Sequence, residues 1–322
     1  MRFYLLILIL FLTFTNCSKK DALDVDISNI DVNFSVERFE VAFYTSKSED
    51  LKQLKEKYPL FFPAEIADSI WINKLENKEE QELYLETQKQ FKDFSEVEKQ
   101  LENLFKHIKF YNKEFKSPNI VTINSNIDYD NRVIYADTLL LISLDAYLGE
   151  NHPFYSDYPK YIKHNNTKNN IVIDVGKAII DSKIYPNRER TFLSKIIVEG
   201  KKKYALNAFL PKKNEEEIFG WEIEKMNWAK ENEEEIWKYF VENELLYSAD
   251  SQLEKRFIES APFSKFYLQQ DNLSPGKIGS WIGFNIVKSY MKYNDVSLQE
   301  LLKKSSTEVF ENSKYKPKNN GS

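Results

Sequence analysis

Three histidines and one cysteine are the whole stock of imidazole and thiol metal ligands in this 322-residue chain: His107, His152, His164 and Cys17. No two histidines stand four apart, and no HExxH is present, so the two-histidine helix face of a metallopeptidase does not form from local sequence. His152 and His164 bracket a tyrosine-rich stretch, 153–163, and could converge in space. With no third ligand beside them they read as loop histidines in ordinary hydrogen bonds, and no metal is expected. A G-x-S-x-G elbow is missing, and no serine is placed recognisably beside a His/Asp pair. Ser274-Pro275-Gly276-Lys277-Ile278-Gly279 has the glycines of a phosphate loop but neither the Walker spacing nor a preceding strand. It reads as a helix start with tight packing.

Glu199 is the most pointed acidic residue. It lies in Ile196-Ile197-Val198-Glu199-Gly200-Lys201, about 130° from the centre of the helix's apolar face at 100° per residue. Beside a glycine that permits close approach, its carboxylate could serve as a ligand or an anchor. The plainer reading is a solvated glutamate paired with a lysine such as Lys203. Glu199 and His152 are thus the weak candidates for catalysis, and no catalytic residue is assigned. The carboxylate pairs Glu215–Glu217 and Glu233–Glu235 read as solvated helix faces. Trp221, Trp228 and Trp281 read as core.

The elements that would position these groups are mostly helical. A polar stretch, 17–30, lacks periodicity and reads as a tether. Two helices are expected over 64–94, packed through Ile66, Ile70, Leu75, Leu83 and Phe91. A third, over 95–110, is expected to open with the capping box Ser95-x-x-Glu98. Strand character falls at 120–123, 133–135 and 138–144, with Asn/Asp turn chemistry between the first two runs. The last run, Thr-Leu-Leu-Leu-Ile-Ser-Leu, has the continuous apolar character of an interior strand. After a loop over 151–170, helices are expected at 171–182 and 189–209. An acidic helical region follows at 214–246, with Trp221, Trp228, Ile236, Tyr239 and Phe240 in one arc. Near the end comes a helix over 276–293, whose Gly276, Gly279 and Gly283 leave room for another backbone. Ser297-x-x-Glu300 marks a further capping box, and the tail, 311–322, is expected to fray. The pattern predicts a predominantly helical α+β fold with a small mid-chain sheet, as one domain over 31–310.

Composition excludes more than it assigns. The formal net charge is −5, with lysine and glutamate interspersed, and no basic stripe points to nucleic acid. Cys17 leaves no intrachain disulfide to form, so stability must come from the core, and 23 Phe with 19 Tyr supply it. Cys17 has a different use. Met1-Arg2 and the apolar run from Phe3 to Phe14 form a signal peptide over 1–16, too short to span a bilayer. A cysteine directly behind that run is the bacterial lipobox arrangement. Its thiol is expected to carry a palmitate-type acyl anchor at the mature N-terminus, with Ser18, Lys19 and Lys20 starting the tether.

Four segments carry a family resemblance: Leu148 to Tyr155 (LGENHPFY), Ile197 to Leu210 (IVEGKKKYALNAFL), Trp228 to Tyr247 (WAKENEEEIWKYFVENELLY) and Ser274 to Tyr290 (SPGKIGSWIGFNIVKSY). Together with the lipoprotein start they resemble the gliding-motility lipoprotein GldB family of Bacteroidetes, across the whole mature chain. The resemblance implies a non-catalytic, lipid-anchored component of the gliding and type IX secretion machinery. It would face the periplasm, on the outer membrane rather than the inner, with other envelope proteins as partners and no cofactor. The strand–loop–helix order around Glu199-Gly200 also looks like a zincin-type metallopeptidase scaffold that has lost its histidines. Two alternatives stand beside this reading: a divergent zincin-like hydrolase using Glu199 with His152 or His164, and a periplasmic glycan- or lipid-binding module using the aromatic surplus.

Overall fold

Four short strands form one mixed sheet in a computed structural model that describes residues 23, 25–184 and 189–318. Cys17, the signal peptide and the first part of the tether, through residue 22, lie outside the described residues. The strands are β1 (Val36–Arg38), β2 (Asn119–Ile123), β3 (Val133–Ala136) and β4 (Leu139–Ser143), ordered β1-β2-β4-β3. β2 is parallel to both β1 and β4, and β3 closes the edge antiparallel to β4. The apolar run at 138–144 is thus an interior strand, with Leu140 and Ile142 fully buried. The Asn/Asp residues between the first two predicted runs build an excursion rather than a hairpin. Asp128 Oδ1 there accepts from the Asp130 and Asn131 N–H groups at 3.1 Å. The tight reversal falls instead between β3 and β4, where Asp137 adopts φ +48°.

Five helices carry the chain from β1 to β2: α1 (Phe39–Tyr44), α2 (Leu51–Lys57), α3 (Asp68–Glu76), α4 (Lys78–Phe91) and α5 (Ser95–Tyr111). The first four enclose an aromatic cluster of Phe43, Tyr44, Tyr58, Phe62 and Tyr84, with Phe39, Phe61 and Trp71 against it. These rings fill the space that Ile66 and Ile70 were expected to occupy, and both isoleucines are exposed. Glu40 is fully buried. It pairs with Arg38 Nε at 2.6 Å and accepts from Thr122 Oγ1 at 2.6 Å, while Arg38 Nη1 donates to the Phe91 carbonyl at 2.9 Å. That network ties α1 to β2 and to the end of α4. The capping box expected at Ser95 does not form. Ser95 is already helical, and Asp93 Oδ1 accepts its N–H at 2.9 Å.

The second half is α6 (Lys160–Lys163), α7 (Ile171–Lys183), α8 (Phe192–Phe209), α9 (Glu215–Phe219), α10 (Ile223–Glu231), α11 (Glu233–Glu242), α12 (Gln252–Phe257), α13 (Ile278–Tyr293), α14 (Leu298–Lys303) and α15 (Ser306–Asn312). The acidic region 214–246 is therefore three helices, not one arc. Gly220, in the left-handed conformation at φ +68°, ends α9 and places Trp221 in the turn that follows. Ser297 and Glu300 do form the capping box that opens α14. Most of the apolar core lies between the sheet, α5, α7, α8 and α13. There α8 and α13 cross backbone to backbone. A Cβ built on Gly283 would lie 1.7 Å from the Ile196 carbonyl oxygen, and one on Gly200 2.2 Å from the Gly283 carbonyl carbon. The expectation of a fraying tail is corrected over 311–318. Asn312 ends α15, Ser313 is buried, and the Tyr315 hydroxyl donates to Glu233 Oε1 at 2.8 Å. The fold is a predominantly helical α+β one.

Candidate functional site

Helix α7 is apolar almost all round, and Asp174 and Lys177 interrupt it one turn apart. Asp174 is buried. It receives Arg132 Nη2 at 3.2 Å, Lys177 Nζ at 2.9 Å and the Tyr147 hydroxyl at 3.0 Å. Burial alone would raise the pKa of this carboxyl. The two cations and the bonds from Lys177 and Tyr147 outweigh burial and hold it below the usual range. Arg132 also donates to the Asn165 carbonyl and Asn166 Oδ1, both at 3.2 Å, and its guanidinium lies over the Tyr129 and Tyr147 rings. Its position is fixed from several sides.

The start of α13 faces this group. Ser264 Oγ donates to the Pro275 carbonyl at 2.7 Å and accepts from the Ile278 N–H at 3.2 Å. Gly276 is pressed so close to the Ala261 carbonyl that a Cβ would lie 2.1 Å away. Lys277 follows in the left-handed conformation, φ +62°, which is uncommon for a residue with a side chain. It lines a cleft of about 370 Å³ together with Arg132, Lys177, Lys225, Phe219 and Trp221. Burial, and then the nearby Lys177 charge, push the Lys277 amine down to about 8. Lys225 donates to the Asn272 and Ser274 carbonyls at 2.6 and 2.9 Å, and Lys160 pairs with Glu222 at 2.6 Å.

An adjoining hollow of about 300 Å³ shares Lys177, Ser260 and Lys277 with the cleft, and Glu199 lies on its wall. Glu199 pairs with Lys202 at 2.8 Å, and Lys202 also reaches Asp181 at 3.0 Å. Lys203, the partner suggested by the sequence, is instead buried at the edge of the same hollow. Its Nζ donates to the Ile218 carbonyl at 2.9 Å and lies over the Phe219 ring, and burial drives its pKa well below the usual lysine value.

Taking Glu199 as the glutamate of an HExxH helix puts Val198 and Lys202 at the two histidine positions. Valine offers no ligand atom. Burial works against the Lys202 ammonium, but Glu199 and Asp181 outweigh it and hold that ammonium protonated. A zinc ion does not fit these residues.

The structure does not bring the histidines to Glu199. His152 Nε2 stands 3.5 Å from Glu86, and His107 is buried with Nδ1 2.8 Å from the Asn103 carbonyl oxygen. His164 Nδ1 is 3.3 Å from Glu150, and Glu150, His164 and Glu222 place one potential ligand atom each within 4.8 Å of one another. The fold thus supplies carboxylates beside His164 that the sequence did not reveal. Lys160 already neutralises one of them, Glu222. Sequence reasoning missed Asp174, Lys177 and Arg132 altogether. The available signal was the pair of charges inside the otherwise apolar run Ile171 to Ile180.

Among protein families, the model described as Gliding motility protein GldB matches residues 20–317 of this chain. No curated protein and no solved structure matches it.

Proposed function

The chain belongs to the GldB family of gliding motility proteins, and from that premise we propose that it is a lipid-anchored envelope component acting without hydrolysis. Its acylated Cys17 would hold the folded part, one domain running from 31 through the docked residues 311–318, at the periplasmic face of the outer membrane. There it would serve the gliding apparatus and the associated type IX secretion machinery through contacts with other envelope proteins. The observation that carries the reading is the family match over nearly the whole chain. The donor chemistry around Glu199 supports its non-hydrolytic part, because Lys202 occupies the carboxylate that a metallopeptidase would turn toward water. No helix among the described residues is long and apolar enough to cross a membrane; in this reading the attachment is the acyl anchor on Cys17.

The test is genetic. In a gliding bacterium lacking its own copy, Glu199→Gln and the wild type should restore colony spreading and secretion equally. Loss of spreading by a stable, correctly located Glu199→Gln protein would overturn the non-hydrolytic reading in favour of the hydrolase.

A further inference from the structure

The cleft at the start of α13 holds more positive charge than its neighbours neutralise. Five cationic side chains line it, Arg132, Lys160, Lys177, Lys225 and Lys277, against the single carboxylate of Glu222. Glu222 is taken by Lys160, and Asp174, behind the wall, is shared between Arg132 and Lys177. The Lys225 ammonium donates only to backbone carbonyls. The Lys277 ammonium forms neither a hydrogen bond nor an ion pair among the described residues, and the backbone of Lys277 is held left-handed by fixed contacts on both sides. A charge buried without a counter-ion is unfavourable, and the fold nevertheless presents it to open space. Tyr129, Tyr161, Phe219, Trp221 and Phe263 put aromatic rings on the remaining walls, with the polar side chains of His164, Asn165, Ser260 and Asn272 between them.

We propose that this cleft binds an oxyanion, a carboxylate or a phosphate, carried on an aromatic or apolar body, with Lys277 meeting the anion. The oxyanion supplies the counter-charge that Lys225 and Lys277 lack, and adds to the half-share of Asp174 that Lys177 holds. The apolar body rests against Phe219 and Trp221, which are buried and cannot turn away. A volume of about 370 Å³ accommodates a group the size of one or two amino-acid residues rather than an extended polymer. Arg132 acts as a positioning residue, since Asp174 and the Asn165–Asn166 acceptors already hold its guanidinium. The inference is independent of the anchor at Cys17 and of whether the chain hydrolyses anything.

The experiment uses the full-length chain in mild detergent at pH 7, titrated calorimetrically with four probes: phenyl phosphate, N-acetyl-phenylalanine, its uncharged carboxamide and inorganic phosphate. One or both of the charged aromatic probes should saturate a single site, and the tighter one identifies the anion. The carboxamide and inorganic phosphate should bind at least tenfold more weakly. Lys277→Met should weaken the charged probe at least tenfold and Lys277→Arg should recover most of that loss. Lys288→Ala, about three turns further along α13, outside the cleft and paired with Glu215 at 2.8 Å, should change nothing. A wild-type readout guards against a misfolded variant: the NMR titration of ¹³C-methylated Lys277 should move upward when the charged probe is added. Equal binding of acid and carboxamide, undiminished binding by a folded Lys277→Met protein, an unmoved Lys277 titration, or no binding of any probe would each overturn the proposal.

Discussion

Replacing Gly283 by alanine is the sharpest perturbation of this fold. The added methyl would stand 1.7 Å from the Ile196 carbonyl oxygen, where even a tight contact needs about 3.0–3.4 Å. The obstacle is helix backbone, so no side chain can swing aside, and α8 and α13 must part by more than about 1 Å. A gap of that size forfeits roughly a quarter to a half of the dispersion well for each facing atom pair. Phe192, Ile196, Ile197, Ile282 and Phe284, all fully buried in these two helices, would share the loss. At about 1 kcal/mol each this gives about 4–5 kcal/mol, offset by about 1 kcal/mol of better helix propensity. We therefore expect Gly283→Ala to lower stability by about 3–4 kcal/mol. Gly200→Ala, which meets the same crossing at 2.2 Å, should behave similarly. Gly176→Ala provides the contrast, because the methyl there meets only the flexible end of Leu206 at 2.7 Å and should change stability by no more than about 1 kcal/mol. Urea denaturation followed by far-ultraviolet circular dichroism measures all three, with an unchanged m-value as the check that only stability moved. If Gly283→Ala were no more destabilising than Gly176→Ala, the backbone crossing at the centre of the core would be wrong.

Lys277→Met should be more stable than the wild type at pH 7, by about 1–2 kcal/mol after allowance for solvent at the cleft. The sign follows from linkage: the folded amine titrates near 8 and the unfolded one near 10.5, so the unfolded chain holds more protons between those values. Wild-type stability therefore rises with pH through that window, and the advantage of the variant should close by pH 10.5 in urea melts. Glu40→Ala strips Arg38 of its counter-ion and Thr122 of its closer acceptor, and should lower stability by about 3 kcal/mol in the same assay. Tyr315→Phe removes the donor to Glu233, and a loss of about 1 kcal/mol is expected; no loss would contradict the docked tail. Glu199→Gln leaves Lys202 with Asp181, so stability should stay within about 1 kcal/mol of wild type.

Much of the helical frame was legible, because helices state their caps and faces locally. The box at Ser297–Glu300 and the 95–110 periodicity are of that kind, and Gly283 marked its flank as a place of close approach. Where the sequence misled, a tertiary partner decided. Asp93 took the cap from Ser95, and Gly220 broke an acidic stretch whose periodicity looked continuous. Aromatic side chains displaced Ile66 and Ile70 from the N-terminal cluster. β1 is three residues, Val-Glu-Arg, too short to carry any alternation, and exists because β2 offers it an edge. The cleft was the least legible part. Arg132, Asp174 and Lys277 are far apart in sequence, and each looks unremarkable until the fold collects their charges on one side of α7.

The central claim is that this family member works from a lipid anchor, and one comparison tests it most directly. Cys17→Ala and wild-type protein would be expressed in a gliding bacterium lacking its own copy, fractionated into membrane and soluble pools, and scored for colony spreading. Cys17→Ala should leave the membrane pool as a folded protein, and spreading should be lost. Membrane sedimentation and full spreading by Cys17→Ala would contradict the claim.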